Sequence, residues 1–190
     1  MNVGLFFGSF NPIHTGHLII ANWILNETDI EEIWLVVSPQ NPFKAEQDLL
    51  SEADRLKLVE KAIEGDRRLK ASDVEFQLPK PSYTFRTLSL VREKYPNYTF
   101  FLIMGSDSFQ DLHKWKNFVS IISSHKIFIF KRPGFDVKNA LNAQIEILDA
   151  PMLDISSTTI RELIKNNKSV RYLLPDNVRQ EIESKQYYKK

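Results

Sequence analysis

Short unbroken apolar runs alternate with stretches of helical spacing along the whole chain, and this alternation narrows the fold more than any other feature. Residues 3–7, VGLFF, form the first run, and Gly8 ends it, which predicts a buried strand leading into a loop. Leu18, Ile19, Ala21, Trp23, Ile24 and Leu25 then give one apolar face to a helix. Residues 33–37, IWLVV, closed by Ser38 and Pro39, repeat the buried-strand signature. Helical spacing follows over 49–63, with Ser51 as N-cap, Asp54 three residues on, and Gly65 as the stop. Residues 74–78 alternate like an edge strand, and 83–95 read as a helix capped by Ser82 with Pro96 beyond its end. Strands are predicted over 99–104, 126–130 and 145–148, separated by a loop through Gly105, a helix at 117–124 and the turn Arg132-Pro133-Gly134. A helix over 157–164 and another whose first residue is Pro175 complete the pattern.

Parallel neighbours in a sheet need crossover connections, so this order predicts an α/β protein: a Rossmann-like, doubly wound parallel sheet with helices on both faces. At 190 residues the chain is read as a single domain, residues 1–190, whose C-terminal helical part covers about 155–186. Ligands in such folds bind beyond the carboxyl ends of the strands, which directs attention to residues 8–17, 39–44, 105–115 and 130–134.

With 25 Lys and Arg against 24 Asp and Glu, the net charge of +1 supplies no global field for nucleic acid or an anionic membrane. An anionic ligand has to be held locally. The absence of cysteine excludes disulfides, thiol nucleophiles and thiolate zinc sites, and fits a cytoplasmic location. The opening MNVGLFFGSF has no basic n-region of a secretory signal, and no apolar run approaches the roughly 18 residues needed to span a bilayer. Neither a membrane nor a nucleic-acid partner is expected.

Two of the four histidines, His14 and His17, fall within GSFNPIHTGH, residues 8–17, directly after the first strand. At the start of a helix their three-residue spacing brings both imidazoles to one side. Gly8 and Gly16 let backbone approach a ligand, Ser9 and Phe10 lie in the same turn, and helix N–H groups with the macrodipole suit phosphate. A capped helix start whose histidines satisfy local hydrogen bonds is the competing reading. A zinc site lacks an obvious third ligand, and neither a Walker loop nor a GxGxxG fingerprint is present. Near the other end, ISSTTIR, residues 155–161, puts hydroxyls and Arg161 at another helix start, where they serve either as a simple cap or as a phosphate cradle.

Together, GSFNPIHTGH and ISSTTIR resemble the paired HxGH and ISSTxxR segments of the nucleotidylyltransferase superfamily. PSYTFRTL at 81–88, GSDSFQDLHKW at 105–115 and SVRYLLPDNV near the end are further similar to bacterial nicotinate-nucleotide adenylyltransferases. The resemblance implies transfer of AMP from ATP to nicotinate mononucleotide, giving deamido-NAD and pyrophosphate in NAD biosynthesis. It implies that Gly8, Ser9 and Phe10 belong to the ATP loop, that His14 and His17 meet the triphosphate, with His17 at the α-phosphate, and that Ser157, Thr158 and Arg161 meet the β and γ phosphates. Lys44, in NPFK, matches a basic position near the reacting phosphates and the acceptor. Gly105 and Asp107 match the nucleotide ribose site, and Arg132 is either near the adenosine or surface charge. Trp115 matches the aromatic that stacks on the pyridine ring, with Tyr83, Thr84 and Lys116 around it and backbone N–H groups near Thr84 and Lys116 for the carboxylate. Mg²⁺ is implied, bound mainly through ATP phosphates and without a protein metal site.

Two positions depart from the family pattern: Asn11 where many bacterial relatives have Asp, and Arg86 where the SYTxDT pattern has Asp. The alternatives are another HxGH adenylyltransferase, such as a phosphopantetheine adenylyltransferase, or a non-catalytic nucleotide-binding module. The oligomeric state is not encoded in any of these features.

Overall fold

The computed structural model describes residues 1–39, 49–151 and 154–189. Strands β1 (Asn2–Gly8), β2 (Glu32–Val37), β3 (Leu69–Ser72), β4 (Thr99–Gly105), β5 (Ile127–Phe130) and β6 (Ile145–Leu148) form one sheet in the order β3-β2-β1-β4-β5-β6. Every neighbouring pair is parallel. This is the doubly wound order, and it reverses between β1 and β4, where a crevice opens at the carboxyl ends of the two strands.

Each β2 residue from Ile33 to Val37 is buried because the sheet is covered on both sides. Ile33, Leu35 and Val37 enter one apolar cluster, while Trp34 and Val36 enter the other. A two-sided core makes consecutive positions apolar, which is why the strands read as unbroken runs. The first cluster also takes Ile24 of α1 (Thr15–Glu27), Leu58 of α2 (Glu52–Ala62), Ile160 of α6 (Ser157–Lys165) and Val178 of α7 (Asp176–Lys185). The second takes Leu88 of α3 (Thr84–Lys94), Phe109 of α4 (Ser106–Gln110) and Ile121 of α5 (Phe118–Ser124).

Several boundaries differ from the sequence reading. Residues 74–78 are not a strand: the third strand ends at Ser72, and successive turns close through Phe76 N–H to Asp73 C=O (2.8 Å) and Leu78 N–H to Glu75 C=O (3.1 Å). Val74 and Phe76, which a strand would put on one face, pack against opposite clusters. Ser82 is not the cap of α3; Tyr83 holds that position, and the Ser82 hydroxyl donates to the Glu75 carboxylate (2.8 Å). Pro175 is the N-cap of α7 rather than its first residue. The loop after Gly105 contains α4 and a 3-10 turn at Leu112–Lys114. Ser51 caps α2 as expected, accepting from Asp54 N–H (3.1 Å).

Candidate active site

The first loop is built around two rings. Phe10 is held at φ 44° with its side chain 1% exposed, and a Cβ on Gly8 would come within 2.8 Å of its ring, so the strand can end this way only at glycine. The Phe10 ring meets the edges of Phe6 at 6.0 Å and His17 at 5.0 Å. His14 is the N-cap of α1 and its backbone N–H donates to Nδ1 of His17 (3.3 Å). That contact makes Nδ1 the acceptor and leaves the His17 proton on Nε2. The two imidazoles stack with centroids 3.7 Å apart, as the three-residue spacing predicts.

His14 is 4% exposed, and among the described residues its Nδ1 has no hydrogen-bond partner. Burial, reinforced by the charge of Arg132, lowers its pKa from 6.5 to about 4, so the imidazole is neutral at pH 7. The helix start itself offers an anion less than the sequence suggests. Thr15 N–H donates to Leu173 C=O (3.0 Å) and His17 N–H to His14 C=O (3.0 Å). Imidazoles rather than spare N–H groups are therefore the main polar equipment of this turn.

The late motif is latched onto this loop. Ser156 caps α6 by accepting from Thr159 N–H (3.1 Å), the Ser157 hydroxyl donates to Pro12 C=O (2.9 Å), and Arg161 Nη1 donates to Asn11 C=O (2.9 Å). The hydroxyl proton of Ser157 is thus committed to backbone. What this turn presents to an anion is the N–H groups of Ser157 and Thr158 at the positive end of α6, together with the remaining guanidinium donors of Arg161.

Arg55, Asn11 and Tyr188 hold the loops from behind. Arg55 of α2 is fully buried and donates to the carbonyls of Ser9 (2.7 Å), Ser38 (2.8 Å), Pro39 (3.0 Å) and Leu50 (3.0 Å). Asn11 Oδ1 accepts from Leu50 N–H (3.2 Å) and from the Tyr188 hydroxyl (2.8 Å). Burial pushes that phenol far above its ordinary pKa, so it remains a donor. Asn11, one of the two departures, is thereby a junction between the first loop, the lead into α2 and the C-terminal YYKK segment. The sequence carried one signal for Arg55: it shares the inward face of α2 with Leu58 and Val59, three and four residues on.

A cavity of about 810 Å³ lies over the crevice between β1 and β4. Gly8, Ser9, Phe10, His14 and His17 line it, together with Ser157, Thr158 and Arg161 of the helix latched to that loop. Gly105, Asp107 and Arg132 line it too, as do Tyr83, Thr84, Trp115 and Lys116. The fold gathers these residues from the carboxyl ends of β1, β4 and β5 and from the starts of α1, α3, α4 and α6. Lys44 lies outside the described residues.

Over residues 5–163 the chain matches the cytidylyltransferase-like family. A protein of Cytophaga hutchinsonii named "Probable nicotinate-nucleotide adenylyltransferase" is 47% identical, over 99% of this chain and 98% of its own length. The chain belongs to the nicotinate-nucleotide adenylyltransferases, within the cytidylyltransferase-like family. A Flavobacterium psychrophilum protein of the same name is also 47% identical, with 100% of both chains covered. The fold agrees with that of the nicotinic acid mononucleotide adenylyltransferase of Plasmodium falciparum complexed with NaAD, at a TM-score of 0.84 and 22% identity, covering 98% of this chain and 97% of that one.

In this member of the adenylyltransferase family, Asp107 and Arg132 form an ion pair at 3.6 Å in the lining of the cavity. Arg132 also donates its backbone N–H to Ser106 Oγ (2.9 Å), which ties the end of β5 to the start of α4. Lys116 Nζ stands 4.8 Å from the centre of the Tyr83 ring, and Trp115 is half-buried. Arg86, the second departure, lies over the Phe85 ring at 5.8 Å and is not among the residues lining the cavity.

Proposed function

We propose that the protein transfers AMP from ATP to the phosphate of nicotinate mononucleotide, forming deamido-NAD and pyrophosphate in NAD biosynthesis. What supports this reading is that one cavity is lined both by His14, His17 and Arg161, groups suited to phosphate, and by Tyr83, Trp115 and Lys116, groups suited to an aromatic anionic acceptor. An acceptor phosphate oxygen attacks the α-phosphorus, the bond to the α,β-bridging oxygen breaks, and that oxygen leaves with its electron pair as pyrophosphate. The nucleophile is already ionised, so no general base is required; positioning and charge stabilisation do the work.

In this reading Nε2–H of His17 donates to the α-phosphate as negative charge shifts during transfer. Neutral His14, the N–H groups of Ser157 and Thr158, and Arg161 hold the β and γ phosphates, while Gly8, Ser9 and Phe10 shape the loop beneath them. Asp107 accepts from the adenosine ribose, with Gly105 and Arg132 beside it. Trp115 stacks on the pyridine ring, and the N–H groups at Thr84 and Lys116 receive its carboxylate next to Tyr83. Lys44 is assigned to the reacting phosphates on its sequence position alone.

Among the described residues no cluster of three His, Cys, Asp or Glu side chains could hold a metal, and of the two carboxylates lining the cavity Asp107 pairs with Arg132 and Glu75 with the hydroxyls of Ser82 and Thr87. Such a site fits a Mg²⁺ ion that arrives on the ATP phosphates and keeps its remaining ligands as water. When bound there, Mg²⁺ neutralises charge on the departing pyrophosphate. Among the described residues no helix is long and apolar enough to cross a membrane, and a cytoplasmic site of action is the natural setting for ATP as donor.

The test is pyrophosphate release from ATP and Mg²⁺ with nicotinate mononucleotide, nicotinamide mononucleotide or phosphopantetheine supplied in parallel. Release chiefly with nicotinate mononucleotide supports the assignment. Release only with phosphopantetheine keeps the phosphate chemistry and overturns the acceptor, and no release with any of the three overturns the reaction.

A further inference from the structure

Glu75 is a buried carboxylate that the transfer chemistry does not use. It is 2% exposed, lines the cavity together with Ser82, Tyr83 and Thr84, and lies in the turns where the sequence suggested a strand. Its two oxygens are divided between two buried hydroxyls: Oε2 accepts from Ser82 (2.8 Å) and Oε1 from Thr87 (2.7 Å). Ser82 directly precedes Tyr83, the N-cap of α3, and Thr87 lies one turn into that helix. Among the described residues no Lys or Arg comes within ion-pairing distance of Glu75. Its charge is offset by the two hydroxyl dipoles and by the positive end of α3.

We propose that Glu75 is the positioning residue of the acceptor site. By holding one hydroxyl before the helix and one inside its first turn, the carboxylate fixes where α3 begins. The Tyr83 ring and the Thr84 N–H, both at that start, are set by the same brace. A polar ligand group there is recognised through hydrogen bonds whose direction depends on the first turn of α3, so loosening the turn weakens acceptor recognition and leaves the phosphate-binding groups intact. A buried carboxylate left without its hydroxyls, or hydroxyls left without their acceptor, would also cost free energy, which makes the arrangement mutually enforcing.

This inference rests on nicotinate mononucleotide being the acceptor, and the two ideas fail separately. Turnover would be measured for the wild type, Glu75→Ala, Glu75→Gln and Ser82→Ala while ATP and the acceptor are varied independently. Glu75→Ala is expected to raise the acceptor KM about tenfold or more with the ATP KM within about twofold. Glu75→Gln, which keeps the shape and can still pair with both hydroxyls, recovers most of the loss, and Ser82→Ala shifts the acceptor KM in the same direction by less. The preference for nicotinate over nicotinamide mononucleotide falls in parallel with acceptor binding in Glu75→Ala. A wild type inactive with nicotinate mononucleotide refutes the functional reading itself. A wild type that is active, with Glu75→Ala and Ser82→Ala both leaving the acceptor KM unchanged or raising both KM values equally, refutes the role of Glu75. Should Glu75→Ala fail to fold, Ser82→Ala decides by the same criterion: an unchanged acceptor KM, or an equal rise in both KM values, refutes the role of Glu75.

Discussion

Acid should destabilise the free protein through His14 in a way that can be separated from every other group. Its imidazole titrates at 6.5 when unfolded and at about 4 when folded. Between these values the unfolded chain binds the proton and the native one does not, so stability falls as pH drops from about 6.5 to about 4 and is fully present above that window. The gap, at about 1.4 kcal/mol per pH unit, corresponds to about 3 kcal/mol. His14→Asn removes the titration while keeping a polar side chain. Urea unfolding of the ligand-free protein, followed by circular dichroism from pH 7.5 to 4, gives the stability of each form, and the wild-type minus variant difference isolates this residue. Asp54 and Asp66, whose carboxyls are held low by hydrogen bonds from Ser51 and Arg68, contribute equally to both proteins and cancel. Bound ATP should reverse the effect, because phosphate beside His14 favours the imidazolium. A difference curve flat across the window, or a His14 resonance in the free protein with its midpoint near 6.5, would refute the reasoning.

His17→Ala should lower kcat at least about a hundredfold by removing a donor to the charge that shifts in transfer; turnover within a few-fold of wild type removes His17 from the mechanism. Arg55→Met leaves four carbonyls without their donor and should cost about 3–5 kcal/mol, a fall in Tm of roughly 6–20 °C in a thermal melt. A shift below about 3 °C would show that water or neighbouring groups replace the guanidinium. Trp115→Ala should act mainly on the acceptor KM, and an effect confined to ATP would overturn the assignment of Trp115 to the acceptor.

The sheet was legible because its physics is local. A strand buried on both faces must be apolar at successive positions, and IWLVV, alternating between two cores, satisfies that condition without reference to any partner. The stacking of His14 on His17 and the Ser/Thr cap of α6 were legible for a similar reason: histidines three apart and a hydroxyl before a helix are short-range chemistry. Residues 74–78 misled because alternation is equally produced by two successive turns that send Val74 and Phe76 to opposite cores and carry Glu75 inward.

Arg55, Glu75 and Tyr188 stayed hidden because a charged or phenolic side chain that will be buried looks, in sequence, like one that will be solvated. Their meaning resides in partners: Ser9 lies 46 residues from Arg55, and Asn11 lies 177 from Tyr188. All three share a placement that follows from the fold. Loops at the carboxyl end of a parallel sheet emerge with unpaired carbonyls and hydroxyls, and a cavity kept open for ligands prevents those groups from satisfying one another across it. Buried donors and acceptors must then come from behind the loops: a guanidinium from α2, a phenol from the C-terminal segment, a carboxylate from the turns after β3. These non-motif residues, with Ser157 and Arg161, carry the internal hydrogen bonding of the loops that line the cavity.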